Sequence, residues 1–229
     1  SVKAAEATKI MENTFRDVNI AFVNEMAKSF DKAGIDITEV IRGASTKPFA
    51  FMPHYPGAGV GGHCIPVDPY YLIEKAKQIG FNHRFLSLAR EINNSMPHYT
   101  VELLENELKK LKKSIKNAKV GILGLAYKAN VDDTRESPAF EIINTLKTKG
   151  ADVFVFDPHV KKGSNVKDID ELLNKSDYLI LATDHREFKN MDLAKLKKNK
   201  ILIVIDGRNC LDKEKIKAMG ILYHGIGRG

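Results

Sequence analysis

The chain has 229 residues, 43% apolar and 28% charged, a length and balance that allow one large domain or two small ones, each with its own core. No apolar run approaches the roughly 18 residues a membrane helix needs, and from Lys3 onward the N-terminus reads as amphipathic helix without a signal-peptide core, so a cytoplasmic protein with no membrane partner is expected. The net charge of +7 suits an anionic partner, yet the basic residues form no arm interleaved with aromatics, and nucleic acid is not expected among the partners.

Residues Lys3–Ala33 contain neither Pro nor Gly, and Met11, Phe15, Val18, Phe22, Met26, Phe30 and Ala33 recur at steps of three or four. The spacing predicts one long helix with a sustained apolar stripe, stopped by Gly34. At 1.5 Å per residue it runs roughly 45 Å, which suits a spine, a dimer contact or a plain core helix. Residues 45–67 then carry Pro48, Pro53, Pro56 and Pro66 with Gly57, Gly59, Gly61 and Gly62, which argues against regular structure. A short helix is predicted over Pro69–Gln78. A longer helical region follows over His83–Lys113, in which Pro97 should cause a kink or begin a new segment. The basic group Lys109, Lys110, Lys112, Lys113, Lys116 and Lys119 lies at its end and reads as a solvated face that suits the helix dipole.

From Lys119 short apolar segments alternate with amphipathic ones. Strands are predicted at Val120–Leu123, Val153–Phe156, Tyr178–Ala182 and Ile201–Ile205, with a weaker one near Ile221–Tyr223. Helices are predicted at Pro138–Lys149, Ile169–Asn174 and Leu193–Lys198. The expected class is α/β: an all-helical domain over 1–114, then a Rossmann-like, doubly wound parallel sheet over 115–229. Ligands on such a sheet bind at the carboxyl ends of its strands.

Only two cysteines occur, Cys64 and Cys210, so a disulfide framework is not expected. Cys64 follows four glycines in six residues, a loop with little side-chain cover whose N–H groups can approach a phosphate or a sugar. Asp68, near a helix start, could orient water or take a proton. On the residues alone, a nucleophile after a glycine loop and an inert buried thiol both remain open. His63 adjoins Cys64, but neighbouring side chains usually point apart, which favours a structural or substrate-facing histidine. No metal-ligand spacing stands out.

The segment GGHCIPVDPYYL, preceded by TKPFAFMPHYPGAGV, resembles the catalytic-cysteine region of the UDP-glucose/GDP-mannose dehydrogenase family, in particular the branch acting on UDP-N-acetylhexosamines. AEATKIMENTFRDVNIAFVNEM resembles that family's central helix, and GILGLAYKANVDDTRESPA the entry to its C-terminal domain. The resemblance implies an NAD-dependent four-electron oxidation of a primary alcohol to a carboxylate, by way of a thiohemiacetal and a thioester on Cys64. It makes Asp68 the water-activating aspartate, and Lys9 and Asn13 the groups that stabilise the oxygen at C6. The i, i+4 spacing of Lys9 and Asn13 puts both on one helix face, where a cation and an amide can converge on an oxyanion. Gly59, Gly61, Gly62, Lys128 and Arg208 are implied in binding the UDP-sugar, and Arg135 in reaching the cofactor. The surface alternative is that Asp133, Arg135 and Glu136 form ion pairs of little worth. Cys210 matches no functional position and is expected in the core. A homodimer through the long helix is implied as well.

Two departures from the family pattern matter. Val67 stands where the UDP-glucose branch has a lysine, which counts against plain UDP-glucose, although a UDP-glucose 6-dehydrogenase remains the nearest alternative. The family's N-terminal NAD-binding domain has no counterpart before Lys3, so this chain alone is expected not to complete the oxidation. A non-catalytic UDP-sugar-binding and dimerising module and a cysteine hydrolase are the other readings. The second lacks a base at suitable spacing.

Overall fold

A computed structural model describes residues 1–229. Helix α1 spans Val2–Lys32 and starts at Ser1, whose Oγ accepts the Ala4 N–H at 3.2 Å. It stops where Gly34 takes a positive φ of 70°. Helix α2, Ile37–Ala44, begins at Asp36, whose Oδ1 accepts the Thr38 N–H at 2.9 Å. Residues 45–67 form turns and extended chain. Helices α3, Asp68–Gln78, and α4, Arg84–Lys110, complete the helical half. Pro97 lies buried inside α4, and of the two outcomes expected there, a kink or a new segment, no new segment begins.

The other half is a five-stranded, wholly parallel sheet with order β2-β1-β3-β4-β5, and the α/β expectation is borne out. The strands are β1 Lys119–Leu123, β2 Asp152–Phe156, β3 Tyr178–Leu181, β4 Ile203–Asp206 and β5 Leu222–Gly225. Helix α5, Pro138–Thr148, covers one face together with the C-terminal half of α4. The short helices α6 Ile169–Lys175, α7 Arg186–Lys189, α8 Ala194–Lys198 and α9 Lys213–Ala218 cover the other. Alternation along the strands feeds both layers: Val120, Ile122 and Ile180 pack towards α4 and α5, while Leu179, Leu181 and Val204 pack towards α6–α9.

One core joins the two halves. Val23 and Ala27 of α1, Met96, Leu104 and Leu108 of α4, and Ile142 of α5 belong to the same buried cluster as the strands. Helix α1 does not bury its apolar stripe as a core helix would. Met11, Phe15 and Phe22 stay 73%, 47% and 59% exposed, while Asn13, Asp17, Ala21, Asn24 and Ala27 face inward. The inward face sets Asn13, Asp17 and Asn24, which hydrogen-bond side chains of α3 and α4, beside the apolar Ala21, Val23 and Ala27, and leaves Met11, Phe15 and Phe22 outside.

Candidate active site

The glycine-rich segment leaves the helical half and runs along the carboxyl ends of the strands. The Gly57 N–H donates to Asn24 Oδ1 of α1 at 3.0 Å, and the Ala58 N–H to the Gly207 carbonyl after β4 at 3.0 Å. The Gly62 N–H donates to the Arg135 carbonyl in the β1–α5 connection at 2.9 Å. Gly59, Gly61 and Gly62, implied in binding the substrate, lie with their bare α-carbons against the protein. A Cβ on Gly59 would sit 2.9 Å from Pro138 Cγ, one on Gly61 2.7 Å from the Glu136 carbonyl oxygen, and one on Gly62 2.8 Å from Tyr127 Cε2. Gly62 also needs a φ of 96°. At these three positions the loop lies too close to the β1–α5 connection and to Pro138 of α5 for a side chain to fit.

Cys64 emerges from this loop exposed, in the turn that leads into α3. Its carbonyl accepts the N–H groups of Val67 at 3.1 Å and Asp68 at 2.8 Å, which fixes the turn. Asp68 opens α3, and its Oδ2 accepts a hydrogen bond from Asn13 Nδ2 at 2.6 Å. The structure thus brings Asn13, which is buried, to Asp68. Lys9 lies one turn before Asn13, exposed, with only a 3.8 Å contact to Glu12. That ammonium is free to meet a ligand.

Arg135 is tied to Asp133 through two nitrogens, Nε–Oδ1 at 3.0 Å and Nη2–Oδ2 at 2.6 Å. The Arg135 hydrogen bonds hold the Asp133 carboxyl down to about 2. Asp133 in turn raises Arg135 through its hydrogen bonds and its charge. Lys128, in the same connection, is exposed. Arg208, just after β4, donates from Nε to the Ala182 carbonyl at 2.9 Å and lines a pocket of about 370 Å³ with Arg42, Arg228 and Tyr55. Burial lowers its pKa, which adds to the demand for an anionic neighbour. Cys210 is half-buried against the α6–α9 layer, and burial pushes its thiol up.

Sequence reasoning passed over Asp157, which follows β2, the place where dinucleotide-binding sheets carry an acid for the ribose. Here the acid is spent internally. Asp157 accepts the N–H groups of Leu125, Ala126, His159 and Val160 at 2.6–2.9 Å, and its Oδ2 is 3.0 Å from His185 Nε2. His185 Nδ1 accepts the Asn130 N–H at 2.9 Å, so Nε2 carries the proton given to Asp157 and the ring keeps no lone pair for a metal. His159, His185 and Glu187 gather their ligand atoms within 4.8 Å, but His185 cannot ligate in this tautomer. Gly121 of β1 and Gly124 just after it face Leu172 and Thr183 at under 3 Å from a notional Cβ. The sheet therefore offers no cradle for a dinucleotide.

Known proteins match this arrangement along the whole chain. The central domain of the UDP-glucose/GDP-mannose dehydrogenase family matches residues 3–95, and that family's UDP binding domain matches residues 121–213. The UDP-N-acetyl-D-mannosamine dehydrogenase of Methanococcus vannielii is 38% identical over 98% of this chain and 52% of its own length. Among solved structures, the UDP-D-ManNAc dehydrogenase of Pyrococcus horikoshii superposes with a TM-score of 0.90 at 38% identity, covering 99% of this chain and 52% of that one. The NDP-N-acetyl-D-galactosaminuronic acid dehydrogenase of Methanosarcina mazei superposes with a TM-score of 0.92 at 32% identity, covering 100% of this chain and 51% of that one. This chain spans about half the length of these relatives. With both family domains matched in order and the helical half and sheet superposing throughout, the chain belongs to the UDP-glucose/GDP-mannose dehydrogenase family.

Proposed function

We propose that this chain forms the thiol-bearing, substrate-holding portion of a nucleotide-sugar 6-dehydrogenase that oxidises C6 of a UDP-N-acetylhexosamine to the carboxylate. The observation that carries this reading is the exposed Cys64 one turn before the Asn13–Asp68 hydrogen bond of 2.6 Å. In the proposed chemistry, Cys64 Sγ adds to the C6 aldehyde and the new oxyanion is met by the Lys9 ammonium and the Asn13 amide. After hydride loss, water adds to the thioester carbon, Asp68 takes its proton, and the C–S bond breaks to release the acid and the thiolate. NAD is the acceptor that the family resemblance implies. The sheet of this chain does not fit it, so no hydride step is assigned to these residues, and the chain on its own is proposed to be inactive in turnover. Arg208 and Lys128 are proposed to meet the diphosphate, and Arg135 to face the cofactor side of the cleft. The N-acetylhexosamine assignment is supported by the named relatives and by Val67, which replaces a lysine with an apolar side chain next to Asp68.

A second copy of the chain is proposed on the outer face of α1. Phe15, Phe22, Met26, Val40, Phe51 and Met52 line a groove of about 610 Å³ there, an apolar surface of the kind that marks a protein interface.

The test joins this chain to a family N-terminal dinucleotide-binding domain and follows NAD reduction with UDP-N-acetylmannosamine, UDP-N-acetylglucosamine and UDP-glucose. Turnover with an N-acetylhexosamine, abolished in Cys64→Ser, is the expected result. Full turnover in Cys64→Ser overturns the thiol mechanism, and a preference for UDP-glucose overturns the substrate.

A further inference from the structure

A continuous polar chain lies buried between α1 and α4 beneath the Cys64 loop. Asn24 Nδ2 donates to Asn93 Oδ1 at 2.9 Å, and Asn93 Nδ2 donates to Asp17 Oδ1 at 2.8 Å and to the Asp17 carbonyl at 3.0 Å. Arg90 Nη1 pairs with the same Asp17 carboxylate. Asp17, Asn24, Arg90 and Asn93 are each at most 3% exposed.

The two ends of this chain are its informative part. At one end Asn24 Oδ1 accepts the Gly57 N–H, the first residue of the glycine loop, at 3.0 Å. At the other, Arg90 Nη2 donates to Asn94 Oδ1 at 2.6 Å, and Asn94 Nδ2 donates to the Tyr70 hydroxyl in the first turn of α3 at 3.1 Å. The Arg90 guanidinium also lies 5.7 Å from the Tyr70 ring centre. Gly57 and Tyr70 bracket the segment that presents Cys64 and Asp68.

This arrangement is poor for stability alone. Asp17 Oδ2, Arg90 Nε and Thr14 Oγ1 are buried without hydrogen-bond partners, and a buried ion pair is often replaced by apolar side chains without loss. What apolar packing cannot supply is a directed acceptor for the Gly57 N–H and a directed donor for Tyr70 at a fixed separation.

We propose that Asp17, Asn24, Arg90 and Asn93 form a positioning frame that holds both ends of the 57–70 segment and so sets where Cys64 stands relative to Asn13 and Lys9. They are positioning residues, acting through the segment they hold. The inference rests on Cys64 being the reactive thiol, but its test reads the segment directly and needs no turnover.

The experiment compares the chain with Asn24→Ala, which removes the anchor at Gly57, and with Tyr70→Ala, an exposed change at the other end that spares the core. Two measurements are made: hydrogen exchange across 57–70, and the pH profile of Cys64 alkylation by iodoacetamide, with Cys210 as the monitor of global opening. Loss of one anchor is expected to speed exchange across 57–70 about fivefold, the factor one net hydrogen bond is worth. The Cys64 profile should move in both variants while Cys210 and the β1 amides keep their wild-type rates. Wild-type exchange and an unmoved Cys64 profile in either folded variant overturns the frame. So does a Cys210 rate that rises in step with Cys64, since the network then only holds the fold. If Asn24→Ala does not fold, Tyr70→Ala decides alone. A failure here with a Cys64-dependent enzyme in the joined protein removes the frame and leaves the proposed function standing.

Discussion

Asn13 and Asp68 are 55 positions apart in sequence, yet Asn13 Nδ2 lies 2.6 Å from Asp68 Oδ2. The contact locks the first turn of α3 against α1, so the carboxylate keeps one oxygen engaged and the other free. Asn13→Ala should leave the carboxylate without this donor and cost about 1–2 kcal/mol in urea unfolding. In the joined enzyme it should lower kcat more than it raises KM, because the amide is proposed to act on the oxyanion. A raised KM with unchanged kcat would show that Asn13 binds ground and transition states equally, with no special action on the oxyanion.

The sheet and the helical half are clamped by His224 of β5. Its Nδ1 lies 2.9 Å from Glu107 Oε1 of α4 and its Nε2 2.8 Å from Asp31 Oδ1 of α1. Burial lowers the imidazole pKa, but the hydrogen bonds and charges of Asp31 and Glu107 outweigh it and raise it to about 9. A raised folded pKa gives stability that is full below the ordinary histidine value and fades as pH climbs to about 9. Asp31 and Glu107 are lowered despite their own burial, so their share is lost only in acid. Melting temperature should therefore fall between about pH 6.5 and pH 9, with a loss of order 2 kcal/mol. His224→Gln should flatten that slope. A wild-type slope in the variant would assign the pH dependence elsewhere.

Three glycines separate packing from backbone freedom. Gly61→Ala drives a Cβ to 2.7 Å from the Glu136 carbonyl oxygen and should cost about 2–3 kcal/mol while displacing the Cys64 loop. Gly34→Ala meets nothing within 4 Å but keeps a φ of 70°, so about 1 kcal/mol is expected. Gly43→Ala, inside α2 and also free of neighbours, should stabilise by about 0.5–1 kcal/mol. Chemical denaturation of the three variants checks the order.

The outer stripe of α1 gives a prediction about assembly. Phe22 is 59% exposed, so Phe22→Asp should leave the fold of the monomer intact. Light scattering should show the wild-type chain as a dimer and the variant as a monomer. A monomeric wild type at micromolar concentration would remove the proposed interface.

How far the sequence speaks depends on the range of the interaction. Strand and helix alternation after Lys119 is local, and the sheet followed from it. The Cys64 segment was legible through its glycines and its resemblance to a family. The face that α1 buries was not, because periodicity reports where apolar residues stand and cannot say that Asn24 and Asp17 will find partners on α4. The Asp31–His224 contact spans 193 positions and left no pattern to read. Asp157 was missed because four of its partners are backbone amides, which every residue carries, and the fifth, His185, is 28 positions away.

Helix α4 opens beside the Cys64 loop, where Arg90 sits, and ends with Leu104 and Leu108 under the sheet. A recombinant hybrid that exchanges substrate-holding sheets among relatives at residue 114 would seat the incoming β-layer on a foreign helix surface. Crossovers placed upstream of Met96 carry that surface along with the incoming sheet, and they should yield hybrids that express where a junction at 114 does not.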